Sequence, residues 1–271
     1  MIVVSAASGA LGRLVIERLL SRLPADAVAA AVRDPARCAD LAARGVDVRH
    51  GDYDDPASLV TAFRGARRLL LISSPELAPE RRTRQHLAAV DAAVTAGVRA
   101  VAYTSFLGAD RGGDGPNAAH HATEQAIVGS GLAYTMLRHP FYSDAFINAG
   151  LRAAVEAGQL VSGTGGRGLN TASRADLAEA AANVLTDDAH LGHGYDFTGP
   201  VWTYPQLAAT LGDVAGRTVE YHEAAEPIPG PMGFLMGLAG SGALERQTPD
   251  LARVLGRPPA TLRQAVATAL A

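Results

Sequence analysis

The chain has 271 residues, and its 24 basic and 27 acidic side chains leave a formal net charge of −3. This balance argues against general nucleic-acid binding, which requires a basic face. A single cysteine, Cys38, excludes an internal disulfide and favours a reducing, cytoplasmic setting. No apolar run reaches the ~18 residues that span a bilayer, so we expect no membrane insertion.

The first element is a short apolar strand, predicted over residues 1 to 5, that runs into a glycine turn and a helix predicted over 11 to 22. This order is typical of a dinucleotide-binding unit, because glycines let the backbone approach a pyrophosphate and the helix N-terminus supplies free N–H donors. The full pattern has glycine where this chain has Ala6. We expect the turn to supply these cofactor contacts: Ala6, Ser8, Gly9, Ala10, Leu11 and Gly12.

Apolar runs alternate with helical patterns through the first half of the chain, which predicts a doubly wound parallel sheet, the Rossmann form of the α/β class. The further strands are predicted over 27 to 32, 46 to 49, 68 to 73, 99 to 105 and 133 to 138, and the further helices over 36 to 43, 56 to 63, 79 to 96, 118 to 130 and 141 to 157. After residue 140 the strands weaken, to 195 to 198 and 219 to 221. We therefore predict a nucleotide-binding domain over 1 to 138 and a smaller substrate lobe over 139 to 271, packed on the carboxyl edge of the sheet.

The residue that follows the second strand predicts the type of cofactor. An acid there binds the ribose 2′-hydroxyl of NAD, whereas an arginine pairs with the 2′-phosphate of NADP. Arg33 stands at this point, so we predict NADP, with NADPH preferred over NADH; the alternative is a solvated arginine without a ligand. Asp34 is interpreted as the N-cap of the helix that Pro35 begins.

Acidic residues follow the third strand. Asp52, with its neighbour Tyr53, is a candidate contact for the adenine base, although turn formation explains an acid here equally well. Asp55 fits better as the N-cap before Pro56.

Small hydroxyl residues end the fourth and fifth strands: Ser73, Ser74 and Ser105. The carboxyl ends of central strands border the crevice in which a nicotinamide must lie. Ser73 and Ser105 are the better candidates for contacts there, with turn hydrogen bonding as an equal alternative.

All the basic residues are arginines, and lysine does not occur anywhere in the chain. Most short-chain-type reductases use a Tyr-x-x-x-Lys pair, in which the lysine favours the tyrosinate. This protein cannot use that pair, which disfavours a sugar-modifying member of the wider group.

Motifs along nearly the whole chain resemble those of the NmrA-like atypical short-chain dehydrogenases, and among them the type 2 NAD(P)H:quinone oxidoreductases. They are the opening turn, Ala30 to Ala36, Leu70 to Ser74, Ala102 to Ser105, Thr123-Glu124-Gln125, Tyr134 to Arg138, Thr171 to Asp176 and Trp202-Thr203. The resemblance implies an NADPH-binding Rossmann fold and quinone reduction by hydride transfer. It also implies an alternative, because some relatives bind NADP as sensors and catalyse nothing.

Three residues are candidates for the chemistry itself. The resemblance places His120 where the family has a histidine, and an imidazole of ordinary pKa could protonate a quinone oxygen; a surface histidine is the alternative. Gln125 stands where the family segment has its lysine, and it can donate a hydrogen bond but no charge. Tyr142 could stack on a flat acceptor or donate a hydrogen bond, or it could simply pack in the lobe. No metal site is visible.

The sequence thus predicts an NADPH-dependent oxidoreductase, monomeric or homodimeric, whose small-molecule acceptor is a quinone or a similar flat carbonyl compound. Quinone reduction asks mainly for positioning, so a missing lysine is tolerable. The alternative is a catalytically inactive NADP-binding redox sensor.

Overall fold

The computed structural model describes residues 1–112 and 115–271. Contacts between Cα atoms divide the chain into two compact units: Met1–His139 with Leu177–Phe197, and Pro140–Asp176 with Thr198–Ala271. The sequence-based division after residue 138 differs from this at His139 and in residues 177–197, which belong to the first unit.

The elements up to residue 139 alternate as the apolar pattern predicts. In chain order they are β1 Ile2–Val4, α1 Ala10–Leu20, β2 Val28–Val32, α2 Ala39–Ala43, β3 Asp47–His50, α3 Pro56–Phe63, β4 Arg68–Leu71, α4 Pro79–Thr95, β5 Ala100–Phe106, α5 Ala118–Gly129 and β6 Ala133–His139. Short 3-10 turns cover Ala25–Ala27, Pro35–Cys38, Ala109–Arg111 and Gly115–Asn117. Asp34 and Asp55 accept hydrogen bonds from the first turns that follow them, so both predicted caps are confirmed.

The rest of the chain is less regular. Its elements are β7 Phe141–Tyr142, α6 Ser143–Phe146, α7 Leu151–Ala157, β8 Gln159–Ser162, β9 Leu169–Ala172, α8 Arg174–Thr186, β10 His193–Asp196, β11 Val201–Trp202, α9 Tyr204–Ala215, β12 Glu220–Glu223, α10 Gly230–Gly240, α11 Asp250–Leu255 and α12 Leu262–Leu270. The single helix predicted over 141 to 157 is wrong, because β7 pairs with β9 and the Asn148 side chain accepts from the Gly150 N–H, which interrupts the helix.

The first unit is built on a seven-stranded parallel sheet with the strand order β10-β6-β5-β4-β1-β2-β3. Its core includes Val3, Phe63, Leu69 and Tyr103, all of them without solvent exposure. The order reverses between β4 and β1, and in doubly wound sheets a ligand binds outside the carboxyl ends of the strands at such a switch point. The Rossmann-type α/β fold expected from the sequence is confirmed.

Strand β10 completes this sheet at its edge. It pairs in parallel with β6, with His193 opposite Thr135 and Asp196 opposite Arg138. The sequence signal at this strand is weak because its residues, His-Gly-Tyr-Asp, lack an apolar run. For this reason the sequence alone places residues 177–197 in the lobe, whereas the structure places them in the first unit.

The second unit has its own core around Leu169, Trp202 and Leu207. Its strands form a three-stranded sheet, β11-β9-β7, and a parallel pair, β12 with β8. Among the described residues no helix is both long enough and apolar enough to cross a bilayer. Residues 1–112 and 115–271 also contain no group of three His, Cys, Asp or Glu side chains that could hold a metal ion.

Candidate nucleotide-binding site

The turn between β1 and α1 has the geometry of an anion site. Gly9 precedes α1 in extended conformation, and within the described residues no side chain caps this helix end and no acid lies in its first turn. A Cβ atom at Gly12 would lie 2.7 Å from Ala7 Cα and 2.8 Å from Ala6 O, so only glycine permits this approach of α1 to the turn. The helix N-terminus therefore keeps free N–H donors and its partial positive charge for a phosphate.

Ala6 is strained in this turn. Its φ is +47°, and it is the one non-glycine residue with positive φ in the described part of the chain. The left-handed conformation costs an L-residue ~1–2 kcal/mol, which explains why the full pattern has glycine at this point.

Replacing Ala6 by glycine is therefore expected to raise the free energy of unfolding by about 1 kcal/mol and to tighten NADPH binding, because glycine adopts this φ without a penalty. Urea unfolding and nucleotide titration measure both effects. Ala10→Gly, the same substitution in the first turn of α1, serves as a control and should destabilise the protein. A lower stability of Ala6→Gly than of the wild type would contradict the strained turn.

Arg33 stands immediately after β2 with an exposed side chain. Its backbone is held, because His50 Nδ1 lies 3.0 Å from the Arg33 carbonyl oxygen and donates to it. Within residues 1–112 and 115–271, its guanidinium has neither a hydrogen-bond partner nor an ion-pair partner. The charge at this strand end is thus available to a ligand phosphate.

The residues after β3 make mostly internal contacts. Asp52 accepts from the Asp54 N–H, and its own N–H donates to Ser58 Oγ at 2.9 Å. The Tyr53 hydroxyl donates to the Ile72 carbonyl and lies 2.7 Å from Ser5 Oγ. Burial raises the pKa of this phenol. Tyr53 therefore braces the ends of β1 and β4 with its hydroxyl, whereas the half-buried Asp52 carboxylate is the remaining candidate for a ligand contact after β3.

The three serines at the strand ends differ in their surroundings. The half-buried Ser73 donates its N–H to Thr104 Oγ1 at 2.9 Å. Ser74 and Ser105 are 3% exposed. The Ser105 hydroxyl donates to Glu124 Oε1 at 2.5 Å, and the same carboxylate forms a bidentate pair with Arg138 at 2.9 and 2.7 Å. The Ser105 hydroxyl is therefore occupied by the carboxylate of the Glu124–Arg138 ion pair. Ser73 is the better candidate for a cofactor contact.

His120 is buried, in contrast to the surface position that was its alternative. Its Nε2 lies 3.0 Å from Arg82 Nη2 and its Nδ1 lies 2.9 Å from the Tyr103 hydroxyl. A guanidinium only donates, so Nε2 is the acceptor and Nδ1–H donates to Tyr103. Burial, together with the charge of Arg82, lowers the pKa of His120 to about 3. Both ring nitrogens form internal hydrogen bonds and the ring is neutral. The geometry therefore argues against His120 as a proton donor to a ligand.

The other two candidates for chemistry lie on α5 and on β7. Gln125 is exposed on α5, whereas the neighbouring Thr123 and Glu124 face the sheet. Tyr142 belongs to the second unit, where the Arg174 guanidinium lies 4.6 Å from the centre of its ring. Arg174 also pairs with Asp144 at 3.5 Å. This cation–π contact holds the tyrosine ring in place.

The sequence reasoning missed the polar residues that α4 places against the sheet. His86 Nδ1 lies 3.0 Å from Thr123 Oγ1 and 3.2 Å from the Tyr103 hydroxyl. A signal was present, because Gln85 and His86 occupy helical positions on the same face as the buried Ala89, Val90 and Ala93. Two polar residues on an apolar face predict buried hydrogen bonds.

Comparison with known proteins identifies the group to which this architecture belongs. The model of a family described as NAD(P)H-binding matches residues 6–188, which contain the turn, Arg33 and the serines. The chain belongs to this NAD(P)H-binding family. The NAD(P)H-binding Rossmann fold expected from the motifs is thereby confirmed.

Relatives in this family are similar over almost their whole length. The chain is 38% identical to quinone oxidoreductase 2 of Escherichia coli K12, over 98% of this chain and 97% of that protein. It is 29% identical to an NmrA-like family domain-containing oxidoreductase of Aspergillus flavus, over 97% and 92%. The structure of Citrobacter sp. triphenylmethane reductase complexed with NADP(H) has a TM-score of 0.94 and 36% identity, over 99% and 100% of the two chains. The resemblance to the NmrA-like group is confirmed, and the protein is an NAD(P)H-dependent oxidoreductase.

Proposed function

We propose that the protein transfers a hydride from NADPH to a quinone or a similar flat carbonyl acceptor. The observation that carries this proposal is the near-full-length similarity to quinone oxidoreductase 2 together with a nucleotide turn that keeps the close approach at Gly12. NADPH supplies the hydride when it is bound. The 2′-phosphate is assigned to Arg33, the pyrophosphate to the turn from Ala6 to Gly12, and the crevice contacts to Ser73.

The residues of this chain fit the cofactor on structural grounds. At Gly12 a Cβ atom would collide with the backbone, α1 begins without an acidic residue, and the guanidinium of Arg33 is exposed beside the second strand. The glycine lets α1 approach the turn closely. The helix N-terminus and the guanidinium both attract negatively charged phosphates.

The arrangement also indicates how reduction proceeds without a dedicated acid. Hydride addition to a quinone leaves a hydroquinone anion, and water can protonate this product after the transfer. The main task of the chain is then to position the acceptor, and well-oriented reactants alone remove a large part of a barrier. This agrees with the internal hydrogen bonds of His120 and with the exposed position of Gln125.

The redox-sensor alternative is retained because of the same observation: among the described residues, the histidine expected to act as the acid is committed internally. A cytoplasmic setting and a monomeric or homodimeric state remain part of the proposal.

Steady-state NADPH oxidation with a panel of quinones separates the two functions. We expect acceptor-dependent oxidation with one hydroquinone formed for each NADPH consumed, and only background oxidation when the quinone is omitted. His120→Gln should retain most of this turnover, because an amide can replace the hydrogen bonds of a neutral imidazole. Tight NADPH binding without turnover by the wild type would favour the sensor.

A further inference from the structure

Ser74 is held on three sides by residues that belong to helix α4 and to its own turn. Its N–H donates to His86 Nε2 at 2.8 Å, and its hydroxyl donates to Gln85 Oε1 at 2.5 Å. The same hydroxyl oxygen accepts from the Glu76 N–H at 3.2 Å. The side chain of Ser74 therefore has no free donor for a ligand, and its backbone cannot move without breaking contacts to two consecutive residues.

The hydrogen bonds define the state of both holding residues. A backbone N–H only donates, so His86 Nε2 is unprotonated and Nδ1–H donates to Thr123. Burial and the charge of Arg82 keep this ring neutral by lowering its pKa to about 3. Gln85 is oriented in the same way, since its Oε1 accepts from Ser74 and its Nε2 donates to Asp54 Oδ1 at 2.9 Å.

These two residues connect the Ser73–Ser74 segment with three other segments of the first unit. Through Asp54, Gln85 reaches the turn after β3, where Asp52 lies. Through Thr123 and Tyr103, His86 reaches α5 and β5. Between them lies the segment Ser73–Ser74, so the candidate contacts for adenine and nicotinamide are tied to a single turn of α4.

We propose that Gln85 and His86 are positioning residues of the nucleotide site, which set the place of the Ser73–Ser74 backbone and thereby the affinity for NADPH. This inference rests on the proposed function. Neither side chain needs to touch the cofactor, because both act through Ser74.

The experiment compares the dissociation constant of NADPH in variants that remove or restore the bond to the Ser74 N–H. His86→Leu is expected to weaken NADPH binding about tenfold, because a buried donor loses its partner. His86→Gln should recover most of that loss, since its amide oxygen can accept from Ser74 and its NH₂ group can donate to Thr123. Gln85→Met, which keeps the shape and removes both polar contacts, should weaken binding as well.

His121→Leu is the matched control. His121 is the next residue along α5 from His120, and its Nδ1 bonds to the Ala109 carbonyl oxygen at 2.7 Å, away from Ser74. The affinity of the His121→Leu variant for NADPH should equal that of the wild type. Urea unfolding of every variant separates affinity from stability, and Gln85→Met keeps the inference testable if His86→Leu does not fold.

Two results would overturn the inference: folded His86→Leu and Gln85→Met that bind NADPH within twofold of the wild type, or a His86→Gln variant as weak as His86→Leu. Hydrogen exchange at the Ser74 amide provides a readout without nucleotide, and it should be slow in the wild type and at least tenfold faster in His86→Leu. A wild type that shows this protection but does not bind NADPH would contradict the proposed function, while the hold of Gln85 and His86 on Ser74 would stand.

Discussion

Replacing Arg33 by alanine is expected to weaken NADPH binding ten- to a hundredfold and to leave NADH binding nearly unchanged. The guanidinium is exposed at the end of β2, and charge-assisted hydrogen bonds to a 2′-phosphate contribute ~1.5–3 kcal/mol. NADH lacks that phosphate, so it loses nothing when the arginine is removed. Titration of both nucleotides against the wild type and Arg33→Ala measures the difference.

A general loss of positive charge must be separated from this specific contact. Arg18→Ala removes one exposed arginine from the last turn of α1, at the opposite end of the helix from Gly9. Its affinity for both nucleotides should match that of the wild type. Equal affinities of the wild type for NADPH and NADH would rule out Arg33 as the residue that selects the cofactor.

The largest expected effect on stability is a steep loss in mild acid. His86, His120 and His139 are buried, and burial is the main cause that lowers the pKa of each to about 3. In the unfolded chain a histidine has a pKa near 6.5. The unfolded state therefore binds more protons than the folded state between these values, so stability is complete above pH 6.5 and falls as the pH drops toward 3.

Each histidine contributes a slope of up to ~1.4 kcal/mol per pH unit, and three together contribute about 4 kcal/mol per unit. Between pH 6 and 5 carboxylates of ordinary pKa stay mostly ionised in both states, so the histidines dominate the change in stability over this interval. Urea unfolding at several pH values measures the slope. His86→Gln should reduce it by about a third, because one of the three buried imidazoles is removed. A wild-type stability that is constant from pH 7 to 5 would contradict buried neutral imidazoles.

The nucleotide turn and its surroundings were accessible from sequence because local patterns define them. The glycines at 9 and 12 mark the close approach of α1, and the aspartates before Pro35 and Pro56 mark two helix starts. The long apolar strands could also be placed to within two residues. The segment from 141 to 157 could not, because its pairing with β9 depends on residues about 30 positions further along the chain.

The chemistry of single side chains was less accessible, since it depends on which partners reach them. Ser105 and His120 both carry groups that suit a cofactor site. The Ser105 hydroxyl donates a hydrogen bond to Glu124. The two ring nitrogens of His120 form hydrogen bonds with Arg82 and Tyr103. No local sequence pattern predicts these hydrogen bonds, because each partner comes from a different strand or helix.

The sequence by itself therefore determined the parallel α/β fold, the strand–turn–helix for which phosphate binding is proposed, and the arginine that follows β2. Periodicity, glycine spacing and helix capping are interactions between residues a few positions apart, so they can be read along the chain. Only the tertiary structure decided that β10 joins the sheet of the first unit, that His120 is a neutral buried acceptor, and that Gln85 and His86 hold Ser74. Burial and hydrogen-bond partners set protonation and availability, and both arise from segments that meet only when the sheet and its helices pack.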